Sequence, residues 1–181
     1  RSCLACGEQV PTDLEAARAL FAEGRVPSRL HNNCSGKHVG FLTLARHLGV
    51  SAQEYEHANH PVQRYALTAL ADMAGVDLAS LPLAIDGCAA PAPAFPLRAM
   101  AVAMAKVADP SSLDGMREKA VRRLDLAVRT HPFLGAGTGR ACTTLMISAN
   151  GGASAKMGAE GVYVASLNRL GLGIALKIDD G

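Results

Sequence analysis

Neither basic nor acidic residues gather into long runs in this 181-residue chain: 18 Lys and Arg stand against 16 Asp and Glu, for a net charge of +2. A nucleic-acid surface relies on clustered cations that displace phosphate counterions, so their dispersal argues against that class of partner. The densest basic stretch, Arg117 to Arg123, alternates with Glu118 and apolar residues and reads as a solvated helix face. No segment approaches the run of about 20 apolar residues that a membrane span requires. The opening Arg1-Ser2-Cys3 is not a secretory signal. The five cysteines are odd in number and lack the look of a disulfide framework, which points to a soluble protein of a reducing cytoplasm. Internal repeats and low-complexity segments are missing as well.

What the chain does have is apolar substance. Hydrophobic residues make up 49% and charged ones only 19%, a globular composition able to bury a core. At this length one domain with one core is the expectation, burying roughly two-thirds of its surface.

Residues 1–11 show no periodicity and read as a segment entering from something upstream. A helix follows from Thr12, with Leu14, Ala17, Leu20 and Phe21 on one face, Thr12 as N-cap, Glu15 three residues later and Gly24 at its end. Apolar residues at helical spacing predict a second helix from Ser35 to Leu48, stopped by Gly49. Ser51 with Glu54 has the capping-box pattern of a short helix, and Pro61 suits the first turn of another running to Ala74. Leu83-Ala84-Ile85 is a short apolar strand; Pro91, Pro93 and Pro96 beyond it forbid regular structure and predict a loop.

Two more helices are expected, over residues 97–107 and 111–129, with Met100 and Met104 as core filler. Residues 141–149 form an apolar run that fits helix or strand equally. Ala153 to Met157, Gly161 to Leu167 and Gly171 to Ile178 read as three antiparallel strands joined by Gly-containing turns. Helices followed by a meander make an α+β fold, a helical layer packed on an antiparallel sheet. Three strands leave edges exposed unless further strands complete the sheet.

Three clusters carry chemistry. His31-Asn32-Asn33-Cys34-Ser35-Gly36-Lys37-His38 lies against the start of an apolar helix, where free N–H groups stabilise a thiolate or developing anion, and Cys34 and Lys37 share a face of the first turn. A merely capped helix start is the alternative. Asp86-Gly87-Cys88 follows a short strand, a place that often positions functional side chains, although Asp-Gly is equally a turn dipeptide. Lys156-Met157-Gly158 is similar to the Lys-Thr-Gly strand motif of penicillin-recognising serine hydrolases, with Met in place of Thr. The remaining candidates take plainer readings. Cys3 and Cys6 form a C-x-x-C without a second pair, His47 and His57 read as helix-surface residues, Cys142 as a buried small hydrophobe, and Gly135 to Gly139 as a flexible turn without a phosphate loop's Lys-Ser/Thr ending.

Taken in order, six blocks resemble the Rhizobium-type (thermolabile, type II-like) L-asparaginase family. They are Cys34-Ser35-Gly36-Lys37-His38, His60-Pro61-Val62-Gln63, Asp86-Gly87-Cys88-Ala89-Ala90-Pro91, His131-Pro132, Lys156-Met157-Gly158-Ala159-Glu160-Gly161 and Gly173-Ile174-Ala175-Leu176-Lys177. The resemblance implies a fold similar to serine β-lactamases and glutaminases, and hydrolysis of the side-chain amide of L-asparagine to aspartate and ammonia. It implies a homodimer and a zinc site at Cys34, Lys37 and Cys88. Asp86 matches the family's substrate-side aspartate, with Lys37 and Cys88 beside the substrate. Of the family's two Ser-Lys tandems only the strand lysine carries over, onto Lys156.

The Ser-x-x-Lys motif and the second serine are expected in sequence before residue 1. Residues 1–181 are accordingly read as a partial domain, truncated at both ends and inactive alone, with Ser35 as the fallback nucleophile. The alternatives are a glutaminase or penicillin-interacting hydrolase of the same fold, and a non-catalytic zinc-binding domain. A serine hydroxyl needs a base, and a lysine serves as one only when burial or a neighbouring cation lowers its pKa. A lysine ligates zinc only as the neutral amine. Asp86, an acceptor when ionised, suits the α-ammonium of an amino acid.

Overall fold

A computed structural model describes residues 3–181; Arg1 and Ser2, which begin the aperiodic opening segment, lie outside the described residues. The chain divides into two compact units, Arg1–Ala69 with Leu78–Ala94, and Leu70–Asp77 with Phe95–Gly181. Seven α-helices and two small antiparallel sheets among the described residues make it α+β, as expected.

In the first unit, helix α1 spans Leu14–Ala22, and its N-cap is Asp13, whose carboxylate accepts the Ala16 N–H at 2.8 Å. The cap thus lies one residue beyond the expected Thr12, because the aspartate offers the better acceptor. Ala17 and Leu20 are buried, while Leu14 and Phe21 of the same apolar stripe stay exposed. Helix α2, Ser35–Leu48, ends on Gly49 at φ 67°, a left-handed conformation that glycine adopts without a Cβ clash. The helix expected at Ser51 does not form. Ser51 Oγ does accept the Gln53 N–H at 3.0 Å. Glu54, however, takes φ 55°, which turns the chain out of any right-handed helix. Helix α3 is Pro61–Ala74.

Strand β1, Leu83–Ile85, pairs with β2, Pro91–Pro93, where the prolines predicted a loop. The ladder explains their tolerance. Hydrogen bonds run from Asp86 N to Ala90 O and from Ala94 N to Pro82 O, both 2.9 Å, which puts Ile85↔Pro91 and Leu83↔Pro93 at the non-hydrogen-bonded pairs. A missing N–H costs nothing there.

In the second unit, α4 is Leu97–Ala108 and α5 is Gly115–Thr130. The helix expected from residue 111 is split by a 3₁₀ turn over Pro110–Ser112, and Asp114 caps α5 by accepting from Met116 and Arg117 N–H. Along the solvated face of α5, Arg122 pairs with Glu118 at 2.7 Å and Arg117 with Asp72 at 3.3 Å, in keeping with the expected surface role. Part of the expected glycine-rich turn belongs to the short helix α6, Pro132–Ala136. The ambiguous run is helix α7, Ala141–Ser148.

The predicted meander forms from β3, Ala153–Met157, β4, Val162–Leu167, and β5, Leu172–Lys177, in the order β3-β4-β5. Cross-strand pairing places Ser154, Ser166 and Gly173 on one face of this sheet and Ala155, Ala165 and Ile174 on the other. Cys142 and Met146 of α7 pack with Ala155 on the second face. The first face receives α4 at Gly173 and α5 through Asp125.

Asp125 is buried, and it accepts from Arg129 Nε and Asn168 Nδ2, both at 2.8 Å. The Ser166 hydroxyl lies 3.5 Å from its other oxygen and 2.6 Å from the Ser154 hydroxyl. These partners compensate a carboxylate taken out of water.

Candidate functional site

Helix α2 and the β1–β2 turn, both in the first unit, bring Cys34, Lys37, Asp86 and Cys88 together. Cys34 is the N-cap of α2; its own N–H donates to Asn32 Oδ1 at 2.8 Å, while the helix places Lys37 on the same turn. The two roles considered for Asp86 divide between its oxygens. Oδ1 accepts the N–H groups of Cys88 (2.9 Å) and Ala90 (3.0 Å), closing a tight turn in which Ala89 takes φ 70°. Oδ2 accepts from Lys37 Nζ at 2.5 Å. The Cys88 thiol lies beside Asp86, Lys37 and Cys34, close enough for each to act on its ionisation. It is buried with Leu4, Cys6 and Ala90, against which Cys34, Phe41 and Leu42 pack.

The electrostatics follow from this packing. Burial works to raise the Asp86 pKa, but hydrogen bonds from the Cys88 thiol, Lys37 and the turn N–H groups outweigh it and hold the carboxyl down at about 2. Burial likewise works against the Lys37 charge, yet the bonds to Asp86 and Cys88 raise its pKa above the ordinary lysine value. The Cys88 thiol is pushed up to about 11, first by burial and then by Asp86 and Cys34, with Lys37 only partly opposing. Lys37 and Asp86 are therefore an ammonium–carboxylate pair beside a neutral thiol.

Because the folded carboxyl of Asp86 ionises below its ordinary value of 3.8, its stabilising contribution is complete above that pH and is lost as pH falls towards 2. Circular dichroism during acid unfolding is expected to show Asp86→Asn losing less stability than the parent chain across that window. Equal losses would show that the carboxylate is not held in its charged form.

Behind this group lies a support that the sequence pattern did not disclose. His38 is fully buried, with Nδ1 2.6 Å from Tyr55 Oη. Since Tyr55 Oη accepts the Ala5 N–H at 2.8 Å, its own proton is free to go to His38 Nδ1, which places the imidazole proton on Nε2. Burial, aided by Lys37, lowers the His38 pKa and keeps the ring neutral. The only sequence cue was the histidine's place next to Lys37.

The other sequence candidates take separate places. Ser35 is the first residue of α2 and half-buried. Lys156 belongs to the second unit; it is exposed on β3, and its Nζ donates to the Met157 carbonyl at 2.7 Å. It lines an apolar cavity of about 420 Å³ within that unit, together with Met104, Val107, Val121, Leu124 and Val128. Cys3 is exposed and Cys6 buried, so the C-x-x-C does not present two equivalent thiols. Cys142 is buried, as a small hydrophobe would be. His47 is an exposed residue of α2, whereas His57 lies in the turns before α3.

Among the described residues, no three His, Cys, Asp or Glu side chains group closely enough to hold a metal. Two thiols and one amine are a donor set zinc accepts, with a fourth position open, provided all three give up their protons. The chemistry of Cys34, Lys37 and Cys88 fits that set.

The family model described as L-asparaginase II matches residues 1–181. No curated protein matches the chain. The 181 residues contain no Ser-x-x-Lys.

Proposed function

The chain belongs to the L-asparaginase II family, and from that premise we propose that it is part of an amidohydrolase converting L-asparagine to L-aspartate and ammonia. The observation that carries this is the meeting of Lys37, Asp86 and Cys88, two of them oppositely charged, where α2 meets the β1–β2 turn. The ordered blocks support a serine β-lactamase/glutaminase-like fold and a homodimer for the complete enzyme, and the cysteine usage supports a reducing cytoplasm.

In this proposal Asp86 orients the substrate by accepting its α-ammonium. Oδ2, the oxygen that would do so, is paired with Lys37. Were Lys37 to serve as a ligand together with Cys34 and Cys88, it would give up its proton, its attraction to Asp86 would weaken, and Oδ2 would be open to the substrate. Zinc, when bound, supplies a Lewis acid with an open coordination position. The nucleophile is a serine of a Ser-x-x-Lys segment elsewhere in the longer chain, and Lys156 takes its proton. Ser35 stands next to Cys34 as the alternative nucleophile.

Ammonia release from L-asparagine and L-glutamine, measured on the complete enzyme, tests this. Asp86→Ala is expected to raise KM for L-asparagine by roughly 10- to 100-fold, the worth of a hydrogen bond between charged groups. An unchanged KM removes the orienting role, and preference for L-glutamine moves the protein to the glutaminases, a choice that one methylene decides.

A further inference from the structure

We propose that Cys34 and Cys88 form a peroxide-oxidisable thiol pair whose disulfide closes the site to metal. Three thiols share the small core of the first unit: Cys6 and Cys88 are buried in it, and half-buried Cys34 packs against them. Their settings differ. Cys6 directs its Sγ at the Arg29 carbonyl, 3.7 Å away, and has no exposed surface. Cys34 is the member that solvent reaches, and it packs against the cluster that holds Cys88, with whose thiol it interacts. The oxidant therefore meets Cys34 first, and Cys88 is placed to resolve the product.

The chemistry balances with hydrogen peroxide as oxidant. Cys34 Sγ attacks one peroxide oxygen and the O–O bond breaks, giving a sulfenic acid on Cys34 and one water. Cys88 Sγ then attacks the Cys34 sulfur, forming the S–S bond and expelling the sulfenic oxygen as a second water. Two thiols are oxidised by two electrons in all, and their two protons end in the waters. A dithiol reverses the step by thiol–disulfide exchange. In a reducing compartment a disulfide of this kind is transient and acts as a sensor.

The consequence for the metal rests on the function proposed above; the formation of the disulfide does not. Neither sulfur of a disulfide supplies the thiolate that a zinc site requires. Lys37 would remain with Asp86, and substrate would meet an occupied carboxylate.

The test treats the chain with hydrogen peroxide, blocks free thiols and maps peptides without reduction, with and without prior zinc. The expected result is a Cys34–Cys88 cross-link, a mass lower by two hydrogens, reversal by dithiothreitol, protection by zinc, and loss of zinc binding in the oxidised protein. Cys88→Ser should leave Cys34 to proceed to the sulfinic acid. A cross-link that takes in Cys6 instead, or a parent chain whose Cys34 over-oxidises while Cys88 stays a free thiol, overturns the proposal. A Cys34–Cys88 cross-link in a chain that binds no zinc when reduced upholds the thiol pair and overturns the metal assignment, so the two failures are distinct.

Discussion

Gly173→Ala is expected to destabilise the second unit by about 3 kcal/mol or more, at the upper end of what overpacking costs. A Cβ at this position would lie 2.0 Å from the Ala101 carbonyl oxygen, 2.2 Å from the Ala105 nitrogen and 2.7 Å from the Met104 carbonyl carbon. All three are backbone atoms of α4, so no side-chain rotation relieves the contact. Either the helix lifts from β5 or the strand bends away. For a protein of this size the loss corresponds to a fall in melting temperature on the order of 10 °C, read by circular dichroism. Gly40→Ala is the control. Gly40 lies within α2 with nothing inside 4 Å of an added Cβ, so alanine there should gain about 0.5–1 kcal/mol from helix propensity. If the two variants melted together, α4 would not rest on Gly173 and the packing of the first sheet face would have to be redrawn.

Lys156→Ala is expected to lower kcat for L-asparagine about a thousandfold in the complete enzyme, within the range for removal of a general base. Its thermal stability should stay close to that of the parent protein. Lys156 is exposed and its Nζ donates to the neighbouring Met157 carbonyl, so little packing is lost with it. Lys156→Arg should fail to restore turnover, because a guanidinium does not deprotonate in a protein. Binding of L-aspartate, measured by calorimetry, should change little, since orientation is assigned to Asp86. A kcat within a few-fold of the parent value would remove Lys156 from the proton transfer and leave another base to be sought.

Several elements were readable because a single residue decides them locally. Gly49 and Gly75 end α2 and α3 at left-handed φ values of 67° and 69°, and Pro61 begins α3; glycine and proline have steric preferences that need no tertiary partner. The meander was readable as well, since turn residues separate three apolar runs of strand length. Where sequence patterns misled, a long-range term had won. Ser51 makes its capping bond, but no helix follows, because Glu54 turns the chain left-handed and leads it into Tyr55, which is buried against His38. Pro91 and Pro93 disrupt a lone strand, yet they are tolerated in register with β1 because the ladder asks nothing of their nitrogens.

The chemical identity of the site was written in the chain: Cys34 and Lys37 by their three-residue spacing, Asp86 and Cys88 by their strand-end turn. Residue type and short-range geometry suffice for that, and the six ordered blocks extend it to the family. Tertiary structure decided how those groups are charged and what supports them. A lysine becomes half of an ion pair, a thiol stays neutral and His38 stays uncharged only when burial and partners from distant segments act on them. Asp125 shows the same limit, since nothing in the periodicity of α5 marks its one buried residue as an aspartate held by Arg129, Ser166 and Asn168. Desolvation and long-range hydrogen bonding depend on which groups meet in space, and local spacing carries no record of that.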